Sequence, residues 1–275
     1  MLACLLIVFR EVLEAGIVVG IIMAATQGLA RRGLFIGGGV AAGVLGAGLL
    51  ALFTGAITQA LQGFGQEIFN AAILIVAVLM LGWHNLWMAT HGRELATQLR
   101  SAGNAVLRGE KSLWALAVVI TVAVLREGSE IVLFLYGIAA STQTDPLTML
   151  VGGVLGIIAG AALSWLLYRG LVAISLKRLF SITSWMIALL AAGMAGRAAA
   201  ILAGIDLIPA WGYQLWDTSW LVSDASLTGR ALQALVGYTD RPLGVQLVAW
   251  VATLLLLVMG SRLIHSRSTS QGATQ

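Results

Sequence analysis

Two stretches put charge where everything around them is apolar: "FREVLEAGIVV", beginning at Phe9, and "LREGSEIVLFL", beginning at Leu125. Each reads Arg-Glu-x-x-Glu. On a helix, residues three and four apart share a face, so Glu11 and Glu14 project together, as do Glu127 and Glu130. Arg10 lies four before Glu14 and Arg126 four before Glu130, which lets each arginine pair within its own motif. Such pairing leaves about one negative charge per motif, so two facing motifs suit a multivalent cation. The four glutamates, with Ser129 beside them, make a hard, oxygen-only donor set. That set disfavours copper(I) and zinc and suits iron in either oxidation state, manganese, magnesium or calcium. The plainer possibility is an ion-pair network that fixes helix register.

The elements that position these motifs must be membrane helices. Apolar residues make up 59% of the chain, charged residues 10%, and the mean hydropathy is +0.95. Soluble domains carry about a quarter charged residues. Spans of about 20 apolar residues recur along the length. They are expected at roughly 2–27, 34–60, 68–90, 113–140, 147–168, 182–204 and 243–264. The fold class is therefore an all-α integral membrane protein with seven transmembrane helices, read as one domain. A segment at 205–241 lies outside the membrane, and 265–275 is a polar tail. The first run, "MLACLLIVFREVLEAGIVVGIIMAA", exceeds a signal h-region and is broken by charge, so no cleavable leader is expected. The net charge of +4 resides in short loops beside the membrane, which argues for lipid and against nucleic acid as partner. One cysteine, Cys4, excludes an internal disulfide framework.

At 1.5 Å per residue, Glu11 is about 15 Å into its span and Glu127 about 20 Å into the fourth. Both motifs thus fall near mid-membrane. Six ionisable groups there cost roughly 2.5–3.5 kcal/mol each, or about 15–20 kcal/mol unpartnered. That exceeds the roughly 5–15 kcal/mol stability of a typical domain. Intramembrane ionisable residues usually mark a transport pathway.

The motifs also expose an internal repeat. "FREVLEAGIVVGIIMAATQ" (9–27) aligns without a gap with "LREGSEIVLFLYGIAASTQ" (125–143), and a glycine-rich span follows each copy. The copies are three spans apart, an odd number, so the two halves face opposite ways. The expected architecture is a 3+3 inverted repeat (about 2–90 and 113–204) plus one extra helix, with the substrate site near the midplane. Gly152, Gly156 and Gly160 form one stripe that lets a neighbouring helix approach closely. Loop charge sets the orientation. Arg31, Arg32, Arg93, Arg100, Arg108, Lys111, Arg169, Lys177, Arg178, Arg262 and Arg267 fall on one side. Glu67, Asp145, Asp206, Asp217, Asp224 and Asp240 fall on the other, with only Arg230 and Arg241 among them. The bias predicts the N-terminus outside and the C-terminus in the cytoplasm.

R-E-x-L-E in the first span and R-E-G-x-E in the fourth, within seven spans, resemble the oxidase-dependent iron permease family of fungi and bacteria, its bacterial branch most closely. The resemblance extends to "QEIFNAAILIVAVLMLGWHNLWM" (66–88) and "WDTSWLVSDASLTGRALQALVGY" (216–238). It implies iron carried across the plasma membrane as cargo, with no permanently bound cofactor. It implies iron ligation by Glu11, Glu14, Glu127 and Glu130, with Arg10 and Arg126 as supporting ion pairs. Periplasmic iron-delivery or oxidising proteins are the partners it suggests. Val12 departs from the glycine common in the family, which Gly128 keeps; the expectation is an altered helix approach at the first motif with every ligand intact.

Other residues have weaker claims. Glu67 and Asp217 are candidates for a cation entrance, against helix-dipole and solvated-loop roles. His84 and His91 end the third span as expected here and could form an exit ligand, against a helix-end role. Arg197 is isolated from local acids. An enzyme is disfavoured, since the spans hold no H-E-x-x-H, serine–histidine or paired-aspartate arrangement. Transport of manganese, magnesium or calcium, and a non-transporting membrane subunit, remain the competing functions.

Overall fold

The computed structural model describes residues 1–60, 65–141, 145–170 and 176–271, and among these the secondary structure is helical with no strand. The helices are α1 (Leu2–Ala25), α2 (Arg32–Ala60), α3 (Gln66–Leu107), α4 (Leu113–Ser141), α5 (Pro146–Tyr168), α6 (Leu176–Gly204), α7 (Leu227–Val236) and α8 (Gly244–Gln271). Five contain stretches long and apolar enough to cross a membrane: Arg32–Ala56, Gln66–Trp87, Pro146–Tyr168, Ser184–Gly204 and Gly244–Arg262. α1 and α4, of 24 and 29 residues, match them in length but carry three charges each in mid-helix.

Glycines set the helix pairing. A Cβ at Gly156 would lie 2.9 Å from the Val8 Cβ and 3.0 Å from the Phe9 amide, so α5 lies almost backbone to backbone on α1. Gly43 stands in the same relation to α4, 2.7 Å from the Val124 Cβ and 3.0 Å from the Leu125 amide. From Gly152 through Gly160 the facing residues advance from Met1 to Val12, so α1 and α5 run parallel. By the same reading α2 and α4 run parallel, from Gly39 beside Ala117 to Gly55 beside Tyr136. Small residues permit this approach, which dispersion between closely packed helices rewards.

α3 differs from expectation. It continues past the anticipated end near 90 for 42 residues in all, about 63 Å at 1.5 Å per residue, roughly twice the bilayer core. Its distal half returns to the bundle: Leu99 and Val106 pack with Ile22, Ile36, Leu116 and Ile120. Its proximal half supplies Leu74, Ala77 and Leu81 to the main core, with Ala3, Ile7, Phe134, Ile138 and Met194.

The 205–241 segment is ordered rather than a free loop. Its backbone is tied at Leu215 N–H to Pro242 O, Thr218 N–H to Asp240 O and Val245 N–H to Ala210 O. Asp224 and Asp240 accept from each other's amides at 3.0 and 3.1 Å. α7 starts on a Ser226 cap and ends at Gly237, whose φ of 73° is the left-handed conformation glycine adopts without strain. Gly237 lies against Gly193, so closely that neither tolerates a Cβ. Gly193 lies about 16 Å inside the end of α6 at 1.5 Å per residue. The end of α7 therefore dips back between α6 and α8, where Trp250 Nε1 donates to Val236 O at 2.6 Å.

Candidate functional site: a buried carboxylate–imidazole cluster

The two motifs meet. α1 and α4 cross at the centre of the bundle, and α3 packs against both. Arg10, Glu11, Glu14, Glu127 and Glu130 are all buried, at 3, 0, 4, 7 and 4% exposure. Each arginine pairs within its motif, as the spacing predicts. Arg10 Nη1 lies 3.0 Å from Glu11 Oε1 and Nη2 lies 2.9 Å from Glu14 Oε1. Arg126 Nε lies 3.3 Å from Glu130 Oε1 and 4.0 Å from Glu127 Oε1, and its guanidinium stacks 4.8 Å over the Trp87 ring. Ser129 turns away, its hydroxyl donating to Arg126 O at 2.7 Å.

Between the motifs stands His84, placed by the sequence at an exit and found at the centre. It is 2% exposed. Its Nε2 lies 3.1 Å from Glu14 Oε2, and its Nδ1 lies 2.8 Å from Glu130 Oε2. Arg126 Nη2 approaches the same Nδ1 at 3.2 Å. The cluster thus includes an imidazole, in contrast to the oxygen-only expectation. The sequence signal was a histidine inside an apolar run, "LMLGWHNLW". Ending the span near 90 moved it toward an interface, whereas α3 continues for 23 residues beyond His84.

The bridges divide the glutamates into two kinds. Glu14 and Glu130 are each held by an arginine and by His84. Glu14 Oε1 and Glu130 Oε2 lack a hydrogen bond but face Arg10 at 2.9 Å and His84 at 2.8 Å, whereas Oε2 of Glu11 and of Glu127 is buried with neither a hydrogen bond nor an ion pair among the described residues. Such orphaned oxygens are costly in a protein interior. They occupy corresponding places in the two motifs. One ligand atom from each of Glu11, His84, Glu127 and Glu130 can be drawn so that all four lie within 4.8 Å of one another, the dimensions of a metal-sized site. Four carboxylates against two guanidiniums leave two negative charges when the imidazole is neutral.

The remaining candidates lie elsewhere. Glu67 is exposed in the first turn of α3. Asp217 is exposed in the 205–241 segment, bound by Ser219 and by Arg241 Nε at 3.1 Å. Hydrogen bonds from the Ser219 hydroxyl and amide hold its carboxyl below the ordinary value, with Arg241 adding to the effect. Burial pushes the Asp224 carboxyl up, and the nearby Arg197 charge opposes the rise. Arg197 therefore faces the 205–241 segment electrostatically, and its Nε is buried without a hydrogen bond among the described residues. The His91 side chain lies outside the described residues.

A charged cluster at the crossing of apolar helices is the build of a membrane cation carrier, and comparison with known proteins agrees. Residues 1–269 match the iron permease FTR1 family. The chain belongs to that family and is a multi-pass inner-membrane iron permease. It is 32% identical over 255 residues to a ferrous iron permease EfeU of Escherichia coli O6:H1, covering 91% of both chains. The Yersinia pestis ferrous iron permease EfeU is 32% identical over 242 residues, covering 86% of this chain and 84% of that one. No solved structure matches the chain.

Proposed function

We propose that the cluster is the point through which iron crosses the bilayer, and that ferrous iron is the species carried. The carrying observation is the pair of unpartnered, buried oxygens, Glu11 Oε2 and Glu127 Oε2, at corresponding places in the two motifs. An oxygen that already holds an arginine, as Glu11 Oε1 holds Arg10 at 3.0 Å, must surrender it to bind metal, whereas these two oxygens lose nothing. Glu11 and Glu127 receive the ion, and Glu130 closes on it. Arg10 and Arg126 keep the remaining charge ionised and compete with the ion for the carboxylates, which favours release. The two excess negative charges match a divalent cation. The names of the E. coli and Y. pestis relatives, both ferrous iron permeases, point the same way.

Seven spans frame this site, arranged as a 3+3 inverted repeat with α8 added. The glycine contacts support that reading: Gly156 against Val8 and Phe9 repeats as Gly43 against Val124 and Leu125. Both facing pairs are related by the same shift that aligns the motifs. Because α1 parallels α5, and the chain reverses between α4 and α5, α1 opposes α4. The 205–241 segment then caps the outer side, where a delivery or oxidising protein would meet it, and the basic loops face the cytoplasm.

Uptake of radioactive iron(II) into proteoliposomes tests the pathway. Glu11→Gln and Glu127→Gln should each abolish uptake in protein that remains folded and membrane-inserted. Normal uptake in either would remove the proposed ligands. Orientation is read from impermeant thiol labelling of intact cells. Ala225→Cys should label from the periplasm and Asn104→Cys should not; the reverse pattern would invert the assignment.

A further inference from the structure

We infer that His84 selects the metal: its imidazole supplies a nitrogen donor that makes the cluster prefer iron(II) over magnesium and calcium. The inference rests on the iron pathway proposed above and assigns within it a ligand that the motif glutamates do not include. Three observations carry it. The first is position, since His84 is the imidazole in a set whose other members are Glu11, Glu127 and Glu130, all buried. The second is reach. Its Nδ1 and Glu130 Oε2 are 2.8 Å apart, close to the separation of two adjacent donors on one ion. The third is rigidity. Leu74, Ala77 and Leu81, on the same stretch of α3, are packed in the main core at 0, 0 and 1% exposure, so the imidazole is presented from a fixed backbone.

Donor chemistry supplies the selectivity. Magnesium and calcium take oxygen ligands, and four carboxylates without a nitrogen would accept either. Imidazole suits iron and its first-row neighbours, and binding strengthens along that series beyond manganese. One nitrogen among carboxylates therefore discriminates against the abundant alkaline-earth ions while keeping charge neutralisation. In the absence of metal the same ring bridges Glu14 to Glu130, one from each motif. Exchange of the Nδ1 contact from Glu130 to a metal would leave the Nε2 contact to Glu14 in place. A residue serving only as that bridge would leave metal preference untouched, which gives the test its edge.

The experiment uses purified full-length protein in which His91→Gln and His265→Gln leave His84 as the one remaining histidine of the three in the chain. Manganese(II) serves as a paramagnetic probe, and pulsed electron paramagnetic resonance reports whether a nitrogen-14 nucleus couples to it. The expected result is imidazole coupling in this background, lost on adding His84→Gln. Competition by magnesium should show the iron(II)-over-magnesium affinity ratio falling at least about tenfold in His84→Gln, the lower end of what disturbing a metal's surroundings costs. Bound manganese without nitrogen coupling would overturn the assignment even if the glutamine variant fails to fold. An unchanged affinity ratio in folded His84→Gln would overturn it as well. Flux in proteoliposomes separates this from the pathway itself: nitrogen coupling in protein that moves no iron would count against the pathway and support the ligand.

Discussion

The α1 motif is sealed, whereas the α4 motif opens at its arginine. Arg10 and Arg126 occupy the same place in the same five-residue pattern, yet their side chains are 4% and 38% exposed. Arg10 is gripped by two carboxylates at 3.0 and 2.9 Å and borders a cavity of about 30 Å³ lined by Ile7, Ile187, Leu190 and Leu235. Arg126 holds Glu130 at 3.3 Å and rests on Trp87. The difference comes from what covers each motif. α7 dips in beside α1, and Leu235 of α7 lines the cavity at Arg10. The same Arg-Glu-x-x-Glu pattern therefore yields a tightly held arginine in one half and a more exposed one in the other.

Removing each arginine should separate the halves most strongly. Arg10→Ala leaves Glu11 buried without its ion pair and Glu14 with His84 alone, which costs about 3–5 kcal/mol. It should collapse the yield of folded protein on detergent extraction, measured by monodispersity and thermal unfolding. Arg126 is held less tightly by its carboxylates, so Arg126→Ala should yield folded protein with impaired iron uptake. Equal loss of fold in the two variants would erase the contrast.

A smaller effect is expected at the helix crossings. At the first motif Val12 faces Gly160, and at the second Gly128 faces Ala47. The bulk is exchanged between partners, so the departure at Val12 is accommodated across the interface. A Cβ at Gly160 would lie 2.8 Å from the Phe9 carbonyl as well as 3.0 Å from Val12, but one at Gly128 meets only the Ala47 methyl, at 2.6 Å. Each alanine substitution should destabilise by about 1–3 kcal/mol. Ala47→Gly should rescue Gly128→Ala, while Val12→Gly should leave Gly160→Ala impaired, because the carbonyl stays. Thermal unfolding of the single and double variants checks this, and rescue at both sites would sink it.

Smallest is Trp87→Leu, which removes the ring under Arg126 and should cost about 0.5–2 kcal/mol. Its signature is functional: the freed guanidinium should alter the uptake rate with little change in the unfolding temperature. A variant indistinguishable from wild type in both measurements would show that Trp87 does not steer Arg126.

Much of the molecule was legible in the chain. Composition named the solvent, because a bilayer admits only segments that satisfy their own backbone, and long apolar runs announce them. Helical spacing put Glu11 with Glu14 and Glu127 with Glu130, and paired each arginine with the glutamate four residues on, since those relations lie within one turn. The spaced glycines of the fifth helix were read as a packing stripe, and they are one, against α1.

What spacing could not supply were relations between distant segments. His84 lies 70 residues from Glu14 and 46 from Glu130, and only the crossing of three helices brings them to 3.1 and 3.0 Å. The division between bound and unpartnered glutamates depends on that crossing. So does the exposure of one arginine and the burial of its twin, which is decided by whether another helix happens to cover it. The inward dip of α7 was equally invisible, because a polar segment with four aspartates and three tryptophans reads as surface until the Gly193–Gly237 contact is formed. Local chemistry is set by periodicity, which the sequence states outright. The environment of each charge is set by long-range packing, and tertiary structure alone decides it.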